Sequence, residues 1–165
     1  MLKIIKFSIT TISLLFITAS FAHAKPALDF TLSDSRGADV SLSQFKGKIV
    51  YLDFWASWCS PCLDSFPWMD RMQKKYRNRN VVFLAINLDK KRKDAEKFLS
   101  NNPVSFAIAF DSDGKSAKAY QLQGMPSAVI VDKSGEIRHT HIGFNLKNAK
   151  VYEAHIQQLL SETQD

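Results

Sequence analysis

A chain of 165 residues, 45% hydrophobic and 23% charged, is long enough for one well-buried domain and too apolar to be a disordered segment. Its two cysteines are too few to staple a disulfide scaffold. The formal charge of +6 falls to +4 without Lys3 and Lys6, and basic residues are spread along the chain, which argues against nucleic-acid binding.

Residues 1–24 read as a signal peptide. Lys3 and Lys6 form a positive start, an apolar stretch runs from Phe7 to Phe21, and Ala22-His23-Ala24 is a small-x-small cleavage site. The other reading is an uncleaved membrane anchor, although the stretch is shorter than the ~20 residues a spanning helix prefers. Either way, the remaining domain, 25–165, is expected in the periplasm or cell envelope, where disulfides persist.

In chain order, Leu28, Phe30 and Leu32 alternate with polar residues as in a short strand, and Ser33 to Lys48 is rich in turn residues. Ile49 to Trp55 is a nearly unbroken apolar run around Asp53, which predicts a strand buried on both faces. From Ser60 to Tyr76 the spacing of Leu63, Phe66, Met69, Met72 and Tyr76 predicts a helix, with Pro67 expected to kink it. Val81 to Leu88 follows as a second buried strand, Lys93 to Leu99 as a short helix and Ser105 to Phe110 as a strand. Ser116 to Tyr120 is expected to form a helical turn. Ala128 to Val131 and Glu136 to Ile142 form a hairpin around Asp132-Lys133-Ser134-Gly135, and Leu146 to Leu160 is a closing amphipathic helix. The order predicts an α/β domain with a mixed central sheet.

Cys59-Ser60-Pro61-Cys62 lies between the buried strand and the helix. Two intervening residues let both sulfurs meet across one turn. A cysteine at a helix start is favoured as a thiolate by the dipole and the unpaired N–H groups. Cys59 is therefore the expected nucleophile and Cys62 the resolving thiol. A structural disulfide, half of a zinc site and two inert core cysteines remain as alternatives, the second weakened by the lack of another CxxC or an HxxxH in the chain. Asp53, in an apolar run, should have a raised pKa. Trp58 is expected at the surface beside Cys59, and Trp55 in the core. His139 and His141 point to one face of a strand, and with the cysteines they suggest a second functional reading, a copper-binding chaperone or redox sensor that uses the same Cys59 and Cys62. Lys90-Lys91-Arg92-Lys93 reads as a solvated basic face.

Leu52 to Cys62, with Pro67 five residues on and Gly124-Met125-Pro126-Ser127 before a later strand, resembles the active-site signature of the thioredoxin superfamily. The leader, Leu28-Asp29-Phe30-Thr31-Leu32, Leu42 with Lys46-Gly47-Lys48, and Val131 to Ile137 are similar to the exported TlpA-like group, which includes reductases of cytochrome c maturation. The resemblance covers residues 26 to 160 and implies a thioredoxin-like fold. It also implies thiol–disulfide exchange with protein substrates, more as reductase than oxidase, with electrons from a membrane partner. Asp53 would lie beneath Cys62 as its general base, Pro126 would be cis, and Trp58, Ser60, Pro61, Met125 and Pro126 would face the substrate. No cofactor beyond the Cys59–Cys62 disulfide and no metal are implied, and the mature domain is expected to be monomeric. Ser60-Pro61 in place of Gly-Pro, Asp53 where the group often has Asn, and Met125 before the proline depart from the pattern.

Overall fold

The computed structural model describes residues 25–162; the expected leader lies outside them. Eight strands form one sheet: β1 (Lys25–Pro26), β2 (Thr31–Asp34), β3 (Asp39–Ser41), β4 (Ile49–Trp55), β5 (Val81–Asn87), β6 (Ala107–Phe110), β7 (Ser127–Val131) and β8 (Glu136–Ile142). Their order is β1-β8-β7-β4-β5-β6-β2-β3. Among the described residues, the four helices are α1 (Cys62–Tyr76), α2 (Arg92–Asn101), α3 (Lys115–Ala119) and α4 (Ala149–Ser161), with a short 3₁₀ turn at Leu42–Phe45.

The centre of the sheet is β4, and its composition explains why. All seven of its residues are buried. It pairs parallel with β5 and antiparallel with β7, so neither edge is exposed. Alternate side chains enter two separate cores. Ile49, Tyr51 and Trp55 face the layer formed by α1, α2 and α4. Val50, Leu52 and Phe54 face the opposite layer, where Leu42, Ala117, Tyr120 and Leu122 close over them.

The larger core is aromatic. The Trp55 ring lies 4.7 Å from Phe66 and 4.9 Å from Phe98, and Trp68 packs 5.4 Å from Tyr51. Offset and edge-on rings at these separations add to the gain from area burial. The Tyr76 hydroxyl donates to Glu153 at 2.8 Å, tying α1 to α4.

Several local expectations change. Leu28 is not in a strand: its carbonyl accepts from the Tyr120 hydroxyl at 2.7 Å, and Asp29 accepts from the Phe30 and Ser43 N–H groups, so side chains take the place of ladder bonds. Part of the turn-rich stretch forms the β2–β3 hairpin, with Gly37 at φ +81° between the strands. Leu63 is 50% exposed; the buried stripe of α1 starts one residue earlier and runs Cys62, Ser65, Phe66, Met69, Met72, Tyr76. The helix continues on both sides of Pro67, which has no N–H for the Leu63 carbonyl. Within the basic run, Arg92 is not simply solvated. Its guanidinium lies 4.2 Å from the Phe110 ring centroid and donates to the Asp34 and Ser35 carbonyls.

Candidate active site

β4 and β5 end side by side, and the chain leaves β4 directly into Ala56-Ser57-Trp58-Cys59-Ser60-Pro61 before α1 begins. Carboxyl ends of parallel strands are where open α/β sheets place their reactive groups. Cys59 and Cys62 are joined by a disulfide there, with Cα atoms 5.4 Å apart. The Cys62 N–H donates to the Cys59 carbonyl at 3.1 Å, closing the turn between them. Pro61 caps α1 with αR backbone angles, so its missing N–H leaves no interior bond unmade.

The two sulfurs differ in setting. Cys62 is fully buried and Cys59 is 4% exposed. Cys59 lines a groove with Trp58, Ser60, Pro61, Leu88, Ala117, Leu122, Gln123, Gly124 and Met125. Trp58 stands at its rim, 69% exposed, whereas Trp55 is wholly buried. The Met125–Pro126 peptide bond, which leads into β7, is cis. The groove thus brings together Trp58, Ser60, Pro61 and Met125 around Cys59.

Asp53 follows Ile49 and Tyr51 on alternate positions of β4, on the sheet face that holds both cysteines. In register with it stand Ala85 and Ala128, whose small side chains leave it room. It is 1% exposed, and its Oδ2 has no hydrogen-bond partner among the described residues. Burial pushes the Asp53 carboxyl well above the usual carboxylate range, because the charged form cannot be solvated there. Burial and the nearby Asp53 likewise push the Tyr51 hydroxyl up.

Two features of the structure carry little or no signal in the sequence. The first is Asp89, just beyond β5, which is 5% exposed and accepts hydrogen bonds from the Ser57 N–H and hydroxyl, both at 2.8 Å. The only signal for it is a polar Asn87-x-Asp89 ending an apolar strand. The second is His155 of α4, which joins His139 and His141 of β8. The His139 and His155 rings stack 3.7 Å apart, and His155 Nδ1 lies 3.2 Å from His141 Nε2. Burial and the two neighbouring histidines lower the His141 pKa to about 4. Among the described residues, no group of three or more His, Cys, Asp or Glu is arranged to hold a metal ion.

Comparison with known proteins agrees with this chemistry. The Redoxin family model matches residues 22–156. The thiol-disulfide oxidoreductase ResA of Geobacillus kaustophilus is 32% identical over 84% of this chain and 78% of its own length. ResA of Bacillus thuringiensis is 32% identical over 68% of this chain and 65% of its own. Among solved structures, a thiol:disulfide interchange protein DsbE from Chlorobium tepidum superposes with a TM-score of 0.81 at 42% identity, covering 83% of this chain and 96% of that one. The exposed lipoprotein thioredoxin of Streptococcus pneumoniae gives a TM-score of 0.69 at 33% identity, over 82% of this chain and 99% of that one. A cysteine pair at the head of α1, a thioredoxin-like sheet beneath it and these relatives converge: the chain belongs to the Redoxin family and is a thiol–disulfide oxidoreductase of the ResA/DsbE type.

Proposed function

We propose that this enzyme is exported and works as a reductase of protein disulfides, with Cys59 as nucleophile and Cys62 as resolving thiol. The observation that carries the reading is the Cys59–Cys62 disulfide itself, closed across the turn before α1 and bordering an open groove through Cys59 alone. The Cys59 thiolate attacks one sulfur of a client disulfide. A mixed disulfide forms, and the other client sulfur leaves as a thiolate that takes up a proton. Cys62 then attacks the Cys59 sulfur, closes the protein disulfide and releases the second client thiol. Two electrons and two protons pass to the client. A membrane-bound dithiol donor restores the pair, because small-thiol pools are scarce outside the cytoplasm.

Asp53 takes the Cys62 proton in this scheme. Its support is a buried carboxyl whose raised pKa makes its carboxylate a stronger base toward a thiol proton, with Oδ2 unpartnered among the described residues. Met125 holds the client segment beside Cys59, set there by the cis bond to the buried Pro126, and Trp58, Ser60 and Pro61 form the other wall. Export is supported by residues 1–24, whose pattern is that of a cleaved leader.

The test is insulin reduction by wild type, Cys59→Ser and Cys62→Ser, with the redox potential of the pair. Both variants should be inactive. Unchanged turnover in both would exclude the cysteine mechanism, and a potential above about −150 mV would exclude the reductase direction. Cys62→Ala should accumulate the mixed disulfide and so capture the client.

A further inference from the structure

The two cysteines are held in place by different means. Cys62 opens a helix whose buried face is packed into the larger core, and its carbonyl accepts from the Ser65 hydroxyl at 3.1 Å. Cys59 lies in the segment 56–61, which is neither strand nor helix. Backbone hydrogen bonds in that segment run to itself and to the first turn of α1: Cys59 N–H to the Ala56 carbonyl, Cys62 N–H to Cys59, Leu63 N–H to Ser60. None of these fixes the segment against the sheet.

Asp89 does. Its Oδ2 accepts from the Ser57 N–H at 2.8 Å and from Asn87 Nδ2 at 2.7 Å, and its Oδ1 accepts from the Ser57 hydroxyl at 2.8 Å. The Asp89 N–H in turn donates to Asn87 Oδ1 at 3.0 Å. Asn87 is 1% exposed and sits in the β5 ladder opposite Trp55. The carboxylate is therefore oriented by a buried strand residue on one side and grips the segment, two residues before Cys59, on the other. While the disulfide is closed, the covalent bond and this grip both hold Cys59.

We propose that Asp89 is a positioning residue for thiol–disulfide exchange: by holding Ser57 it keeps Cys59 within closing distance of Cys62 in the dithiol form. This rests on reading Cys59 and Cys62 as the redox couple. Ring closure is an intramolecular step, so its equilibrium depends on how narrowly the open form confines the two sulfurs. The dithiol gives up two electrons and two protons to glutathione disulfide, forming the protein disulfide and two glutathione thiols. Loosening Ser57 lowers the equilibrium constant of that reaction and makes the couple more oxidising.

The experiment equilibrates the full chain with glutathione buffers and reads the oxidised fraction for wild type, Asp89→Ala, Asp89→Asn and Ser57→Ala. Asp89→Ala should lower the equilibrium constant roughly tenfold, equivalent to about 30 mV. Ser57→Ala keeps the backbone bond and should lower it about threefold. Asp89→Asn should stay within about twofold of wild type, because its amide oxygen accepts from Ser57 N–H and Asn87 while its amino group donates to the Ser57 hydroxyl. A purely structural role would lower the unfolding stability of both redox forms and leave the potential in place, so unchanged potentials in Asp89→Ala and Ser57→Ala overturn the proposal. Asn shifting as far as Ala overturns it too, since charge and not grip would then matter. If Asp89→Ala does not fold, Ser57→Ala decides alone. Wild type that fails to equilibrate with glutathione would instead overturn the reading of the redox couple.

Discussion

Replacing Asp53 by Asn should make the oxidised protein more stable by an amount that grows with pH. The side chain is 1% exposed, flanked by Ala85 and Ala128, and Oδ2 has no partner among the described residues. Burial raises its folded pKa well above 3.8. Between 3.8 and that raised value the folded chain keeps a proton that the unfolded chain releases. The stability Asp53 contributes is therefore complete below the unfolded pKa and is lost as pH rises through the folded one. Inside the window the loss is about 1.4 kcal/mol per pH unit. Asn keeps the shape and does not titrate, so the variant escapes that loss. Urea unfolding of both proteins at half-unit steps from pH 4 to pH 8, in the disulfide form so that the cysteines do not titrate, gives the difference directly. A difference that is constant with pH, or shrinks as pH rises, would refute a protonated Asp53 in the fold.

Phe66→Ala should cost about 3–5 kcal/mol of unfolding free energy, because Phe66 is 1% exposed and its ring touches Trp55, Phe98 and Phe106 at once. Denaturant titration checks it, and a loss under 1 kcal/mol would mean that the core closes over the cavity. The histidine stack gives a pH dependence of opposite sign. Burial and its neighbours hold His141 at about 4 from 6.5, so the folded chain binds fewer protons than the unfolded one between these values. Its contribution is complete above pH 6.5 and fades as pH falls toward 4. His141→Gln should flatten the fall in Tm across that range; an unchanged slope would show that His141 is not among the titrating groups.

Much of the frame was legible because it depends on local pattern. An apolar run as long as Ile49 to Trp55 has few places to go but the middle of a sheet, and a cysteine pair between it and an amphipathic helix is placed by chain order alone. What escaped depends on distance in the chain. Ser57 and Asp89 are 32 residues apart and meet only because β4 and β5 end together. His155 reaches His141 through the docking of α4 on β8, which no local period encodes. Leu63 fits the apolar spacing yet lies outside the buried stripe, because helical spacing fixes a face only to within about one residue. The β2–β3 hairpin resembles turns in sequence because its strands are short and carry Ser33, Asp34, Asp39 and Ser41 among few apolar residues.

These gaps share a physical cause. Burying apolar surface rewards many arrangements, so it announces itself through repetition along the chain. Holding one atom in one place needs a few directed bonds, and these come from whichever polar side chain the fold brings near. Cys62 belongs to the first kind: a well-packed helix fixes it, and its neighbours reveal it. Cys59 belongs to the second, since its segment is anchored to the sheet by hydrogen bonds from Ser57 to a single carboxylate. A reaction that repeatedly breaks the covalent link between the two must rely on the second kind of support whenever that link is open. The part of this enzyme least visible in its sequence is for that reason the part on which closure of the disulfide depends.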